Sequence, residues 1–60
     1  MRKTVSESLT VYRKDDGEYV SIKEMFVGWW YVEYDDKSEW IAYRDRQSAE
    51  EDVEEAYGYS

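Results

Sequence analysis

Polar and apolar positions alternate from Leu9 to Lys14 among residues that favour extended backbone, and this pattern predicts a strand. Asp15-Asp16-Gly17 interrupts it, and Asp16-Gly17 suits a two-residue type I′ hairpin turn. Glu18 to Lys23 then returns as a second strand, with Val11 opposite Ile22 and Lys14 opposite Tyr19. Met25 to Tyr34 is the most apolar part of the chain and predicts a third strand, with Gly28 marking a bulge or a bend inside it. After a turn at Asp35-Asp36-Lys37-Ser38, Trp40 to Arg44 forms a fourth strand. That loop length pairs Tyr34 with Glu39, Val32 with Ile41 and Trp30 with Tyr43. One face then carries Trp30, Val32, Tyr34, Ile41 and Tyr43. The other carries Trp29, Tyr31, Glu33, Trp40, Ala42 and Arg44. Both are aromatic.

The periodicity changes near residue 48. Ser48 and Glu51 have the spacing of a capping box, and Ala49, Val53, Ala56 and Tyr57 lie on one helical stripe. Gly58 stands where a left-handed C-cap belongs. The spacing predicts a helix from about Ala49 to Tyr57. Residues 1–8 are polar and read as a flexible lead-in.

These elements describe one α+β domain spanning residues 1–60. It is a small antiparallel meander of three or four strands with one C-terminal helix on one face; an SH3-like small barrel is the alternative. A single helix covers only one face of a sheet. The second aromatic face must be packed by strand curvature, the N-terminal segment or another subunit, or be left open.

Length and composition sharpen this picture. Sixty residues bury a limited core, and small domains usually add disulfides, a metal or a partner. The chain has no Cys and no His, which removes disulfides and thiolate or imidazole ligands. No cofactor is implied. Three Trp, seven Tyr and one Phe are the available core material. The formal charge of −7 is unevenly placed: residues 1–23 carry five basic and four acidic side chains, residues 24–60 three and eleven. This balance favours a basic protein partner and disfavours direct contact with nucleic acid or an anionic membrane. No apolar stretch is long enough to span a bilayer, and a cytoplasmic location is expected.

Catalytic chemistry has little to draw on. There is no nucleophile elbow and no glycine-rich phosphate loop. The pairs Asp15-Asp16 and Asp35-Asp36 read as turn residues, without calcium-loop spacing. An enzyme is not expected. Two groups of residues point instead to binding. Glu50, Glu51, Asp52, Glu54 and Glu55 fill the helix positions off the apolar stripe with no interleaved lysine, at the cost of like-charge i, i+4 pairs. They offer a negative surface to a basic partner, or serve only as a solvated face. Trp29, Tyr31 and Trp40 share one sheet face, with Arg44 placed for a cation–π contact on Trp29. Residues of this kind dominate binding hot spots but equally make a core.

Gly28-Trp29-Trp30-Tyr31-Val32, the acidic turn and Glu39-Trp40-Ile41 resemble the paired-tryptophan strand and following hairpin of SH3 domains. The tyrosine-rich opening motif and the proline-containing 3₁₀ segment of that family are missing, so peptide binding does not carry over. In size, acidity, aromatic content and lack of Cys, the chain is similar to phage-encoded inhibitors, including anti-CRISPR proteins and DNA mimics. The expected function is a small acidic module that docks on a basic nucleic-acid-binding protein. Charge reversal at Glu51, Glu54 and Glu55 is expected to abolish that docking without unfolding. A homo-oligomer, such as a homodimer, burying its aromatic face is the structural competitor. An aromatic platform for carbohydrate, with Glu33 bonding to hydroxyls, is a third reading.

Overall fold

The computed structural model describes residues 2–34 and 40–57. It contains β1 (Arg2–Ser6), β2 (Leu9–Arg13), β3 (Tyr19–Phe26), β4 (Trp29–Tyr34), β5 (Trp40–Tyr43) and α1 (Arg46–Tyr57). The strands form one antiparallel sheet in the order β1-β2-β3-β4-β5, with α1 packed on one face. The sheet does not close, so the architecture is the α+β meander with a C-terminal helix and not a barrel. The meander has one strand more than the alternation predicts. That strand is β1, which falls in the expected lead-in. It pairs with β2 from Arg2↔Arg13 to Ser6↔Leu9. As a short polar edge strand it lacks the apolar signature used to find strands.

The first predicted hairpin is out of register by one residue. Tyr12 pairs with Val20, and Val11 with Ser21 instead of Ile22. The reason is the turn. Gly17 N donates to Lys14 O at 3.1 Å, and Lys14 N donates to Glu18 O at 2.8 Å. The loop is therefore the three residues Asp15-Asp16-Gly17, with Gly17 at φ 93°, and not a two-residue type I′ turn. Asp16 Oδ1 accepts from Glu18 N at 3.0 Å and completes the turn, a bond that lowers the Asp16 pKa. A one-residue slip exchanges the faces of a strand. Thr10 and Tyr12 thus point to the helix, and Leu9, Val11 and Arg13 to the opposite side.

The apolar run Met25–Tyr34 is not one strand. It holds the end of β3, a tight turn at Val27-Gly28 and all of β4, with Phe26 paired to Trp29 and an irregularity between Glu24 and Phe26. Gly28 takes φ 83° and donates its N–H to Glu24 Oε2 at 3.1 Å. The β4–β5 register is the predicted one, with Trp30↔Tyr43 and Val32↔Ile41. The turn from Asp35 to Ser38 and the Tyr34–Glu39 pair lie outside the described residues.

Helix α1 starts three residues before the expected position. Asp45, not Ser48, is the N-cap: Asp45 Oδ1 accepts the backbone N–H of Ser48 at 2.7 Å. That bond holds the Asp45 carboxyl below the usual carboxylate range. Glu51 consequently has no capping-box role and accepts from Gln47 Nε2 at 3.2 Å. Ala49 and Val53 are fully buried on Tyr12, Val20, Ile22 and Val32, and Trp30, Tyr34 and Tyr43 pack around them. Ala56, assigned to the same stripe, is exposed. The core is thus aliphatic at its centre, with Tyr12 its one fully buried aromatic ring among the described residues.

Candidate functional site

The register sorts every strand residue onto one of two faces. On the face beneath α1, polar groups bind the helix to the sheet. Glu54 Oε2 accepts from Lys3 Nζ at 2.8 Å and from Tyr12 Oη at 2.7 Å. Glu50 Oε2 accepts from the buried Thr10 hydroxyl at 2.8 Å, and Lys3 Nζ lies 3.7 Å from Glu50 Oε1. The Lys3 ammonium and then the Tyr12 hydroxyl hold the Glu54 carboxyl below the usual glutamate range. At the helix start, Arg46 Nη2 donates to Ser6 O and Glu7 O, both at 2.7 Å, while its guanidinium stacks 4.4 Å from the Trp30 ring centroid. Burial first, and the neighbouring Asp52 carboxylate second, push the Tyr43 hydroxyl up to about 12. Burial, with Asp52 second, raises Tyr34 as well.

These contacts divide the acidic helix residues into two groups. Glu50 and Glu54 turn inward and are anchors. Glu51, Asp52 and Glu55 are exposed, with Asp52 also serving Tyr43. Glu54 therefore cannot be reversed without breaking the strap to Lys3 and Tyr12, which corrects the expectation of a fold-neutral triple charge reversal.

No helix among the described residues covers the opposite sheet face. Its central rows, read across the strands, are Thr4, Val11, Ser21 and Glu33, then Ser6, Leu9, Lys23, Tyr31 and Ala42. Arg2, Arg13 and Tyr19 form the row on one side. Trp29 and Arg44 flank the other, with the guanidinium carbon 4.4 Å from the ring centroid. The twist of the sheet makes this face a concavity of about 560 Å³, lined by Val11, Arg13, Tyr19, Lys23, Met25 and Tyr31 among others. Its rim is the β3–β4 hairpin. Phe26 meets Tyr31 edge-on at 6.3 Å, and Phe26 and Val27 stand 65% and 97% exposed.

Of the site residues expected from sequence, Trp29, Tyr31 and Arg44 are brought together on this open face, with Trp29 37% exposed. The Trp40 side chain lies outside the described residues. Leu9, Val11, Arg13, Tyr19 and Lys23 were not expected there. The register slip hides the first three, and summing charge along the chain hides the cations. The cations on this face are Arg2, Arg13, Lys23 and Arg44, and its one described carboxylate is Glu33. Helix α1 holds five carboxylates and one arginine. The molecule is acidic by composition but segregated by face.

No group of three or more His, Cys, Asp or Glu suited to a metal ion occurs among the described residues. No helix among them is long and apolar enough to cross a membrane. Compared with known proteins, the chain matches no protein family, no curated protein and no solved structure.

Proposed function

We propose that this domain is a non-enzymatic recognition module that binds an anionic partner on its uncovered sheet face. The observation that carries this reading is the segregation itself. Among the described residues, four cations and one carboxylate share this sheet face, with Arg13, Lys23 and Glu33 lining its concavity beside Tyr19 and Tyr31, while the five helix carboxylates lie on the other side of the sheet. Packed layers are about 10 Å apart, and the Debye length at physiological salt is about 8 Å. A ligand in the concavity therefore senses its local cations far more than the helix. The exposed tip Met25-Phe26-Val27 and the stacked Trp29–Arg44 pair supply the apolar and aromatic anchors that binding surfaces use.

The same charges oppose a homodimer built face to face. It would set the cations of one copy against those of the other, with one described carboxylate per face to offset them. The carbohydrate reading keeps its rings and Glu33, but a neutral sugar makes no use of four cations.

Amide chemical-shift mapping with polyphosphate as the probe tests the proposal. Shifts are expected at Arg13, Ser21, Lys23 and Tyr31 and not at Glu51 or Glu55, and Arg13→Glu with Lys23→Glu should remove them while the helical circular dichroism persists. Perturbation confined to the helix, or absent altogether, overturns it. A second reading keeps the acidic helix as the contact for a basic protein, carried by the exposed trio Glu51, Asp52 and Glu55. For that reading, polylysine is the probe and Glu51→Lys with Glu55→Lys the variant; loss of binding supports it, and unchanged binding removes it.

A further inference from the structure

Within the sheet-face reading, on which this inference rests, we infer that the anionic partner is a single-stranded nucleic acid. The first argument is electrostatic. Arg2 and Arg13 stand directly opposite one another across β1 and β2, a like-charge cross-strand pair that destabilises a sheet. Neither side chain makes a hydrogen bond or ion pair among the described residues, and Lys23 makes none either. The face thus carries repulsion that no hydrogen bond or ion pair among the described residues offsets and that a row of phosphates would relieve.

The second argument is the interleaving of rings with those charges. Tyr19 follows Arg13 in its row, and Tyr31 follows Lys23 in another. Trp29 lies one step beyond, braced by Arg44 on its ring. Side-chain rows on one face of a strand repeat about every 6.8 Å. A chain crossing them meets cation and ring by turns, the combination by which sheets hold unpaired bases. Duplex bases are stacked inside the helix and cannot lie on these rings. An acidic peptide would satisfy the cations but has no flat partner for three aromatic side chains. Glu33, the one described carboxylate of this face, sits in the row between Tyr19 and Tyr31. There it can accept from an exocyclic amino group, as acidic side chains do with cytosine.

The test is fluorescence anisotropy of labelled oligonucleotides with the full chain. Three probes are compared: a short mixed-sequence DNA strand, the same backbone without bases, and polyglutamate of matched charge. The base-bearing strand should bind at least about tenfold more tightly than the abasic one, since each stacked base contributes roughly 5- to 150-fold in affinity and more than one ring is available for stacking. With three phosphates contacted, raising salt from about 50 to 200 mM should weaken binding roughly 15- to 20-fold. Arg13→Glu and Lys23→Glu should each weaken it by more than about tenfold, and Tyr31→Leu should remove the preference for bases, while Glu51→Lys on the helix leaves it intact. Equal or tighter binding of the abasic strand or of polyglutamate overturns the nucleic-acid assignment and leaves the sheet-face reading standing. Binding of none of the three, nor of polyphosphate, overturns both.

Discussion

The polar strap between β1–β2 and α1 makes a prediction whose size follows from its geometry. Tyr12→Phe removes one hydroxyl from a fully buried ring and changes nothing else in the core. The lost bond runs to a charged acceptor, Glu54 Oε2, at 2.7 Å, and such bonds contribute about 1.5–3 kcal/mol. The full amount is not lost. Glu54 keeps Lys3 at 2.8 Å and a side chain 27% exposed, so water replaces the missing donor and no buried charge is stranded. We therefore expect a loss of about 1 kcal/mol, near the value for an ordinary net hydrogen bond. A 60-residue domain has an unfolding entropy of roughly 126 cal/mol/K at about 2.1 per residue, so that loss lowers Tm by about 8 °C.

The assay is thermal unfolding followed by near-ultraviolet circular dichroism, with Tyr19→Phe on the open face as the control for losing a hydroxyl elsewhere. The control should stay within about 1 °C of the parent, because surface changes of this kind are nearly neutral. The pH dependence supplies a second check. Lys3 first, and Tyr12 second, lower the folded Glu54 pKa. The stability this group contributes is therefore complete above the usual glutamate range and declines as pH falls through the lowered value. The gap between parent and Tyr12→Phe should narrow on acidification. A Tyr12→Phe melt within about 2 °C of the parent, or a gap that ignores pH, would refute this account of how the helix is held.

Three further outcomes follow. Ile22→Ala, at the fully buried centre of the sheet, should cost about 2–5 kcal/mol. Against a total of roughly 3–9 kcal/mol for this length, the variant should be largely unfolded at 37 °C, and a melt close to the parent's would show that the core is not centred there. Gly17→Ala meets no atom within 4 Å but must hold φ 93°, so its penalty is conformational, about 1 kcal/mol; an unshifted denaturation midpoint would mean that the three-residue loop is misassigned. The Tyr43 phenol, raised to about 12, contributes stability that is complete below pH 10 and lost as pH rises through the folded value. Alkaline titration of tyrosine absorbance should therefore show one late group, absent in Tyr43→Phe and shifted earlier in Asp52→Asn; a titration in which neither variant differs would overturn the pairing of Tyr43 with Asp52.

What was legible in the sequence was the periodicity of the longer elements. Val32↔Ile41 follows from alternation on both sides of a turn, and Ala49 with Val53 follows from helical spacing. What was not legible depended on single residues that alternation does not weigh. Whether Asp15 joins the loop decides which face Val11 takes, and both turns are compatible with Asp-Gly. Asp45 outcompetes Ser48 as the cap because Arg46, at the first helical position, reaches Ser6 O and Glu7 O and stacks on Trp30. These are tertiary partners, the two carbonyls 40 and 39 residues away along the chain. Edge strand β1 is held by Lys3 reaching Glu54, a contact that no local pattern encodes.

The acidic helix shows how composition and spatial placement of charge differ. Read along the chain, Glu50 to Glu55 are one block of charge. Read in space, Glu50 and Glu54 are one turn apart on the side facing β1–β2, where Thr10, Tyr12 and Lys3 occupy them. Their like-charge i, i+4 repulsion is offset by one ammonium that serves both. Two of the five carboxylates therefore explain how a short helix stays docked on a small core. Removing them from the ledger of available surface charge leaves the opposite face, with its opposed Arg2 and Arg13, as the place where like charges meet without an ion pair among the described residues. A binding partner is most economically sought where the fold leaves such repulsion in place, which on this molecule is the side away from the helix.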